Sequence, residues 1–296
     1  MIGELAALGA ALSWTASALL YRKALQETQP IIANIVRLVL TSAILIVFVT
    51  ITGKLGAIAA LPYTVVVLAA VSGIIGLGVG DSLYMASLKM VGVARAVPIT
   101  CTYPLFTLLF AFTLAGQPPA LTIILGAILI VAGIWFVSVE RSSNATTSRR
   151  LLLLGVVMGI ATAILWAVSI TMMNLAVNYN RQLDNALAVN TIRVVAMGAT
   201  FAASSPFLYR SHRLTMMSRK TVLFLIVGGL VALGIGWFFL SYSLTVTEES
   251  RAVPISSVTP LFSTLTAVLL FHEKITMENA LGSVMIVIGI FIIFLL

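Results

Sequence analysis

The stretch Arg95-Ala-Val-Pro-Ile-Thr-Cys-Thr-Tyr-Pro-Leu-Phe106 returns as Arg251-Ala-Val-Pro-Ile-Ser-Ser-Val-Thr-Pro-Leu-Phe262, each copy set among long apolar runs. The offset is 251 − 95 = 156, a little over half of the 296 residues. The correspondence continues past the motif, where Leu125, Gly126, Gly133 and Ile134 match Leu281, Gly282, Gly289 and Ile290. Without gaps, residues 95–136 and 251–292 share 17 of 42 identities, more than a common apolar composition produces. Any fold for this chain therefore has to build one apolar unit twice.

The runs themselves dictate the element type. The chain is 60% hydrophobic and 9% charged, too little charge to cover a soluble domain of this length. About 20 apolar residues cross a hydrocarbon core as a helix. Ten such spans fit, at 3–21, 31–51, 63–87, 95–115, 119–139, 151–173, 184–207, 221–244, 251–271 and 276–296. The expected fold is an all-α membrane protein. The polar stretch 140–150 reads as a linker between a first unit, 1–139, and a second, 151–296. The N-terminus lacks the basic region of a cleaved signal peptide, so Met1 is expected to open the first span.

The front parts of the units correspond too. Trp14-Thr-Ala-Ser17 parallels Trp166-Ala-Val-Ser169 at an offset of 152, and Asn34-Ile-Val-Arg37 parallels Asn190-Thr-Ile-Arg193 at 156. Four inserted residues are expected near Asn178–Asn185. Five spans per unit make the second start from the opposite side, so the units are expected to be inverted repeats. Basic residues agree. Loops after odd spans hold Arg22, Lys23, Lys89, Arg141, Arg149, Arg150, Arg210, Arg213, Arg219, Lys220 and Lys274, whereas the other face holds Lys54 and Arg181. By the positive-inside rule this places both termini outside the cytoplasm.

Several residues stand out within the spans. Pro98 and Pro104 in span four, with Pro254 and Pro260 in span nine, remove backbone hydrogen bonds and are expected to bend their helices, as a flexible gate or a fixed kink. Gly76, Gly78 and Gly80 in span three, with Gly234 and Gly236 in span eight, read as close-packing positions. Trp14, Ser17 and Tyr21 share one helix face, repeated by Trp166, Ser169 and Met173. Such a face lines a solute cavity or packs between helices. Asp81, Tyr84, Tyr103, Trp237 and Tyr242 complete the candidate cavity set. Arg37 and Arg193 are intramembrane cations, expected to pair with carbonyls or an acid. Asp81 could pair with one of them or carry a coupling proton; Trp237 stands at its equivalent place. Glu248 and Glu249 fall at a span boundary and are expected to face water.

Catalysis finds little support. His212 and His272 lie in loop-like settings, and no HExxH, GxSxG or P-loop pattern occurs. Cys101 is the single cysteine, which excludes an intrachain disulfide and a cysteine-rich metal site. No cofactor or metal is expected. The net charge of +8 fits membrane-flanking loops rather than nucleic acid. A membrane-embedded enzyme acting on lipid would need converging titratable groups, which linear spacing does not show.

With these residues the chain resembles the drug/metabolite transporter superfamily, EamA type. Pro260-Leu-Phe262, Glu273-Lys-Ile-Thr276, Gly282 and Gly289 carry the resemblance in the second copy; Pro104-Leu-Phe106, Gly126 and Gly133 carry it in the first, where Gly116-Gln-Pro-Pro119 replaces the glutamate turn. The arginine of the second helix resembles Arg37. The resemblance implies ten helices as two inverted five-helix repeats around a central cavity. It implies movement of small metabolites, often export of amino acids, across the cytoplasmic membrane, by exchange or with a coupling proton. Multidrug and nucleotide-sugar carriers are the alternatives within it. It also implies cytoplasmic termini, opposite to the charge count.

Overall fold

The computed structural model describes residues 1–91, 96, 99–113, 120–138, 149–208, 217–262, 265–266 and 277–295. Pro98, Arg95, both histidines, Glu273, Lys274 and nearly all of the 140–150 linker lie outside them.

Among the described residues the regular structure is helical throughout. The first unit holds α1 (Ile2–Ala24), α2 (Pro30–Ile51), the short α3 (Leu55–Ala59), α4 (Tyr63–Gly73), α5 (Asp81–Val91), α6 (Tyr103–Thr113) and α7 (Leu121–Ser138). The second holds α8 (Arg149–Val177), α9 (Leu183–Leu208), α10 (Arg219–Gly229), α11 (Trp237–Val246), α12 (Glu249–Ser256) and α13 (Met277–Leu295). Among the described residues, six helices are long and apolar enough to cross a membrane: Ile2–Tyr21, Pro30–Ile51, Tyr63–Ser87, Arg150–Val177, Leu183–Ser204 and Arg219–Val246. Leu121–Phe136 and Ala280–Ile293 are shorter apolar helices. The molecule is an all-α membrane protein. Helix α3 lies in the connection between the expected spans 31–51 and 63–87.

Local chemistry sets several boundaries. Pro30 opens α2 with its fixed φ, and Ser218 caps α10 by accepting from the Thr221 N–H at 3.2 Å. Spans three and eight are each interrupted by a π-helical turn, Ile74–Gly80 and Leu230–Gly236. The two turns are equivalent at the 156-residue offset. Their glycines permit close approach. A Cβ on Gly80 would stand 2.9 Å from Trp166 Cδ1, and one on Gly236 would stand 2.8 Å from Trp14 Nε1. The tryptophans therefore rest on bare backbone, each on the span of the other unit.

Helix directions follow from the contact pairs. Gly126 meets Gly289 and Gly133 meets Gly282, so α7 and α13 run antiparallel. Lys54 reaches Asp184 at 2.8 Å while Leu38 and Ser42 meet Gly198, so α2 and α9 run antiparallel as well. Glu27 accepts hydrogen bonds from Ser218, at 2.7 Å, and from Thr221. This joins the loop after α1 to the start of α10. The Lys54–Asp184 pair joins the other loop set.

The α7–α13 seam depends on missing side chains. A Cβ at position 133 would fall 2.6 Å from the Gly282 carbonyl oxygen and 2.8 Å from Ile286 Cγ1. Gly133→Val should therefore separate the two helices, lowering stability by about 1–3 kcal/mol. Thermal unfolding in detergent checks this, and an unchanged midpoint would contradict the seam.

Candidate functional site

An arginine inside a lipid-spanning bundle has to find partners, because a bare buried guanidinium is costly. Arg37, on α2, is 4% exposed and forms an ion pair with Asp81 at the start of α5. Its Nε donates to Asn34 Oδ1 at 2.9 Å, and its guanidinium lies over the Tyr21 ring at 4.8 Å. The second Asp81 oxygen accepts from Trp166 Nε1 at 2.9 Å. Four helices, α1, α2, α5 and α8, thus meet on one charge pair.

Arg193, the equivalent on α9, is fully buried and meets a different set. Its Nε donates to Ser72 Oγ at 2.9 Å, one terminal nitrogen donates to Ser169 Oγ at 3.0 Å, and the other points at the Met173 sulfur. Its guanidinium sits 4.2 Å above the Trp237 ring, close enough for a cation–π attraction. Tryptophan here takes the place that Asp81 takes beside Arg37. Ser72 and Ser169 also bond each other's backbone carbonyls, each at 2.7 Å.

Helix α8 serves both arginine environments, through Trp166 on Asp81 and Ser169 on Arg193, and aromatic rings pack within each. Trp14 meets Trp237 edge-on at 5.3 Å. Trp166 meets Tyr84 at 5.2 Å and Tyr103 at 5.9 Å. The Tyr103 hydroxyl and Ser256 Oγ are 3.2 Å apart, so the cluster extends into α12. A cavity of about 210 Å³ opens between the start of α2 and α5, lined by Gln29, Pro30, Ile31, Ser82, Ala86 and Met90. Ser82 follows Asp81 directly and accepts from Asn34 Nδ2 at 3.3 Å.

The structure thus brings Trp14, Tyr21, Asp81, Tyr84, Tyr103, Trp166, Ser169, Trp237, Arg37 and Arg193 into one region. Ser17 is buried and donates to its own helix at the Trp14 carbonyl. Tyr242 stacks on Phe238, further along α11. Pro254 lies inside α12, which ends at Ser256; the chain turns at Ser257–Val258 and the next helical segment begins at Thr259, with Pro260 second in it. Pro104 occupies the first turn of α6, just after the turn at Cys101–Thr102.

Sequence reasoning missed three things here. Ser72 has no motif. Asn34 and Asn190 marked the repeat, yet their work is structural: their Nδ2 groups donate to the Leu77 and Leu233 carbonyls at 3.2 and 3.0 Å. Both carbonyls sit in the π-helical turns, where the regular ladder is interrupted. Glu249, expected to face water, is fully buried between Thr171 and Asn174. The sequence placed it at a boundary, but helix packing covers that boundary.

The EamA-like transporter family matches residues 1–139 and 153–295. The chain belongs to the EamA-like transporter family. A curated relative, an uncharacterized transporter of Archaeoglobus fulgidus, is 23% identical over 295 residues, covering 100% of this chain and 99% of its own. A crystal structure of a protein 20% identical superposes with a TM-score of 0.81 over 99% of this chain and 96% of that one. That likeness concerns the fold. Together these make the chain a membrane transporter of the EamA-like family, acting on a small solute.

The ion pair gives a direct test of the cluster. Removing one partner leaves the other charge buried alone, a loss of about 3–5 kcal/mol. Asp81→Asn should destabilise the protein strongly, whereas Arg37→Met with Asp81→Leu should recover much of that loss in thermal unfolding. Additive losses in the double variant would show that the two side chains act independently.

Proposed function

We propose that this transporter moves small organic metabolites, amino acids foremost, out of the cell across the cytoplasmic membrane by alternating access. The observation that carries the reading is the shared cluster: two equivalently placed buried arginines, one paired with Asp81 and one packed on Trp237, with Trp166 set on the first centre and Trp14 on the second, each tryptophan coming from the opposite unit. A site at a repeat interface is where such folds place their solute. Mixed charge and aromatic faces suit a zwitterion with an apolar side chain better than a polyanion.

In this reading ten spans form two inverted five-helix repeats, supported by the antiparallel courses of α2 with α9 and of α7 with α13. Spans four and nine are interrupted by turns, at Cys101–Thr102 just before Pro104 and at Ser257–Val258 between Pro254 and Pro260. The units rock about the cluster, and Trp14, Tyr21, Tyr84, Tyr103, Trp166 and Tyr242 face the solute during the cycle. A broad multidrug or nucleotide-sugar carrier would need a wider or more basic chamber.

Purified protein in proteoliposomes should exchange radiolabelled amino acids saturably. Trp14→Ala combined with Trp166→Ala should lower that flux about tenfold or more, since each removes a large wall of the site. Flux indifferent to both changes would remove the cluster from the solute path.

A further inference from the structure

Glu249 lies at the start of α12, two residues before the ninth expected span, and is fully buried. Its Oε1 accepts from the Thr171 hydroxyl at 2.5 Å and its Oε2 from Asn174 Nδ2 at 2.7 Å. The Asn174 amide is held in that orientation because its Oδ1 accepts from Asn178 Nδ2 at 2.7 Å. Among the described residues no cation pairs with this carboxylate.

The neighbouring ionisable groups are otherwise engaged or lie apart. On α1, Glu4 pairs with the amino terminus at 2.6 Å. On α12 itself, Arg251 donates to the Ile293 carbonyl at 3.3 Å, and Glu248 just before it accepts from Ser250. Tyr103 on α6 bonds Ser256, and Tyr242 on α11 stacks on Phe238. Glu278 stands at the opposite end of α13 from Ile293. Helix α7 carries no titratable residue, and on α8 the only charged residues are Arg149 and Arg150 at its far end.

A buried carboxylate without a counter-charge is costly to ionise. Burial pushes the Glu249 carboxyl up to about 7, against the hydrogen bonds from Thr171 and Asn174 that act to lower it. The site can hold either form. When Glu249 takes a proton, the Thr171 hydroxyl can turn to accept it and give its own hydrogen to a carbonyl one turn back. Sodium suits the site poorly, since Asn174 presents an N–H.

We propose that Glu249 is a proton-binding site whose loading and release move α12, and through it the aromatic cluster. The route is continuous: α12 ends at the Ser257–Val258 turn, its Ser256 touches Tyr103, Tyr103 touches Trp166, and Trp166 donates to Asp81. Asp81, by contrast, has both oxygens occupied by Arg37 and Trp166. The device belongs to one unit only, because Val93 stands at the position equivalent to Glu249. Coupling this proton to solute movement rests on the transport reading above; proton binding and helix movement do not.

The test uses the full chain in lipid nanodiscs. Infrared difference titration should show a protonated carboxyl band that fades as pH rises through neutrality, absent in Glu249→Gln and retained in Glu248→Gln. Hydrogen exchange over 249–256, corrected for its intrinsic pH dependence, should rise with pH in the wild type and stay flat in Glu249→Gln, which mimics the loaded form. In proteoliposomes, amino-acid uptake driven by a pH gradient should fall about tenfold in Glu249→Gln, as expected when a dominant titrating group is lost. A titrating band and pH-dependent exchange that both survive in Glu249→Gln overturn the proposal. So does exchange that responds to sodium and not to pH. A wild type without flux, but with the band and exchange changes tied to Glu249, upholds the proton site and sinks the transport reading instead.

Discussion

A guanidinium group in an apolar bundle constrains everything around it. Arg37 is tolerable because Asp81, Asn34 and the Tyr21 ring converge on it from three helices. Arg193 is tolerable because two serines, a thioether and the Trp237 ring do the same. Each arginine therefore fixes the relative positions of helices that lipid alone would leave free to slide. Hydrophobic burial cannot provide that register in a membrane, since lipid tails are as apolar as the side chains.

The same two centres break the symmetry of the repeat. One unit closes its arginine with a carboxylate, the other with an indole. Two homologous units folded around identical centres would hold two identical sites. One centre is a charge pair, neutral overall, and the other keeps a cation without a carboxylate among its described partners. Glu249, without a cation partner among the described residues, extends that asymmetry to the second unit's last helices.

Much of this was legible in the residues. Apolar run lengths give the helices, because backbone groups in lipid must be satisfied within a segment. The repeated Trp-x-x-Ser and Asn-x-x-Arg spacings pointed to the central residues, and Asp81 was a natural partner for Arg37. What stayed hidden depends on tertiary contact. No periodicity announces that Gly76–Gly80 and Gly234–Gly236 widen into π-helical turns, nor that Asn34 and Asn190 bond the carbonyls there. Glu249 looked like a boundary residue, and only the packing of α8 against α12 shows that it is dry. Tyr242 was grouped by residue type, and its ring stacks on Phe238.

Transport by alternating access, as proposed, requires the cluster to open to each side of the membrane in turn. Sided thiol labelling tests that most directly, using Tyr84→Cys on a Cys101→Ser background and impermeant reagents applied separately to each face of sealed vesicles. Reaction from both faces, slowed on each when the opposite conformation is trapped, is the predicted result. A cysteine at position 84 that reacts from one face alone, or from neither, would contradict the account.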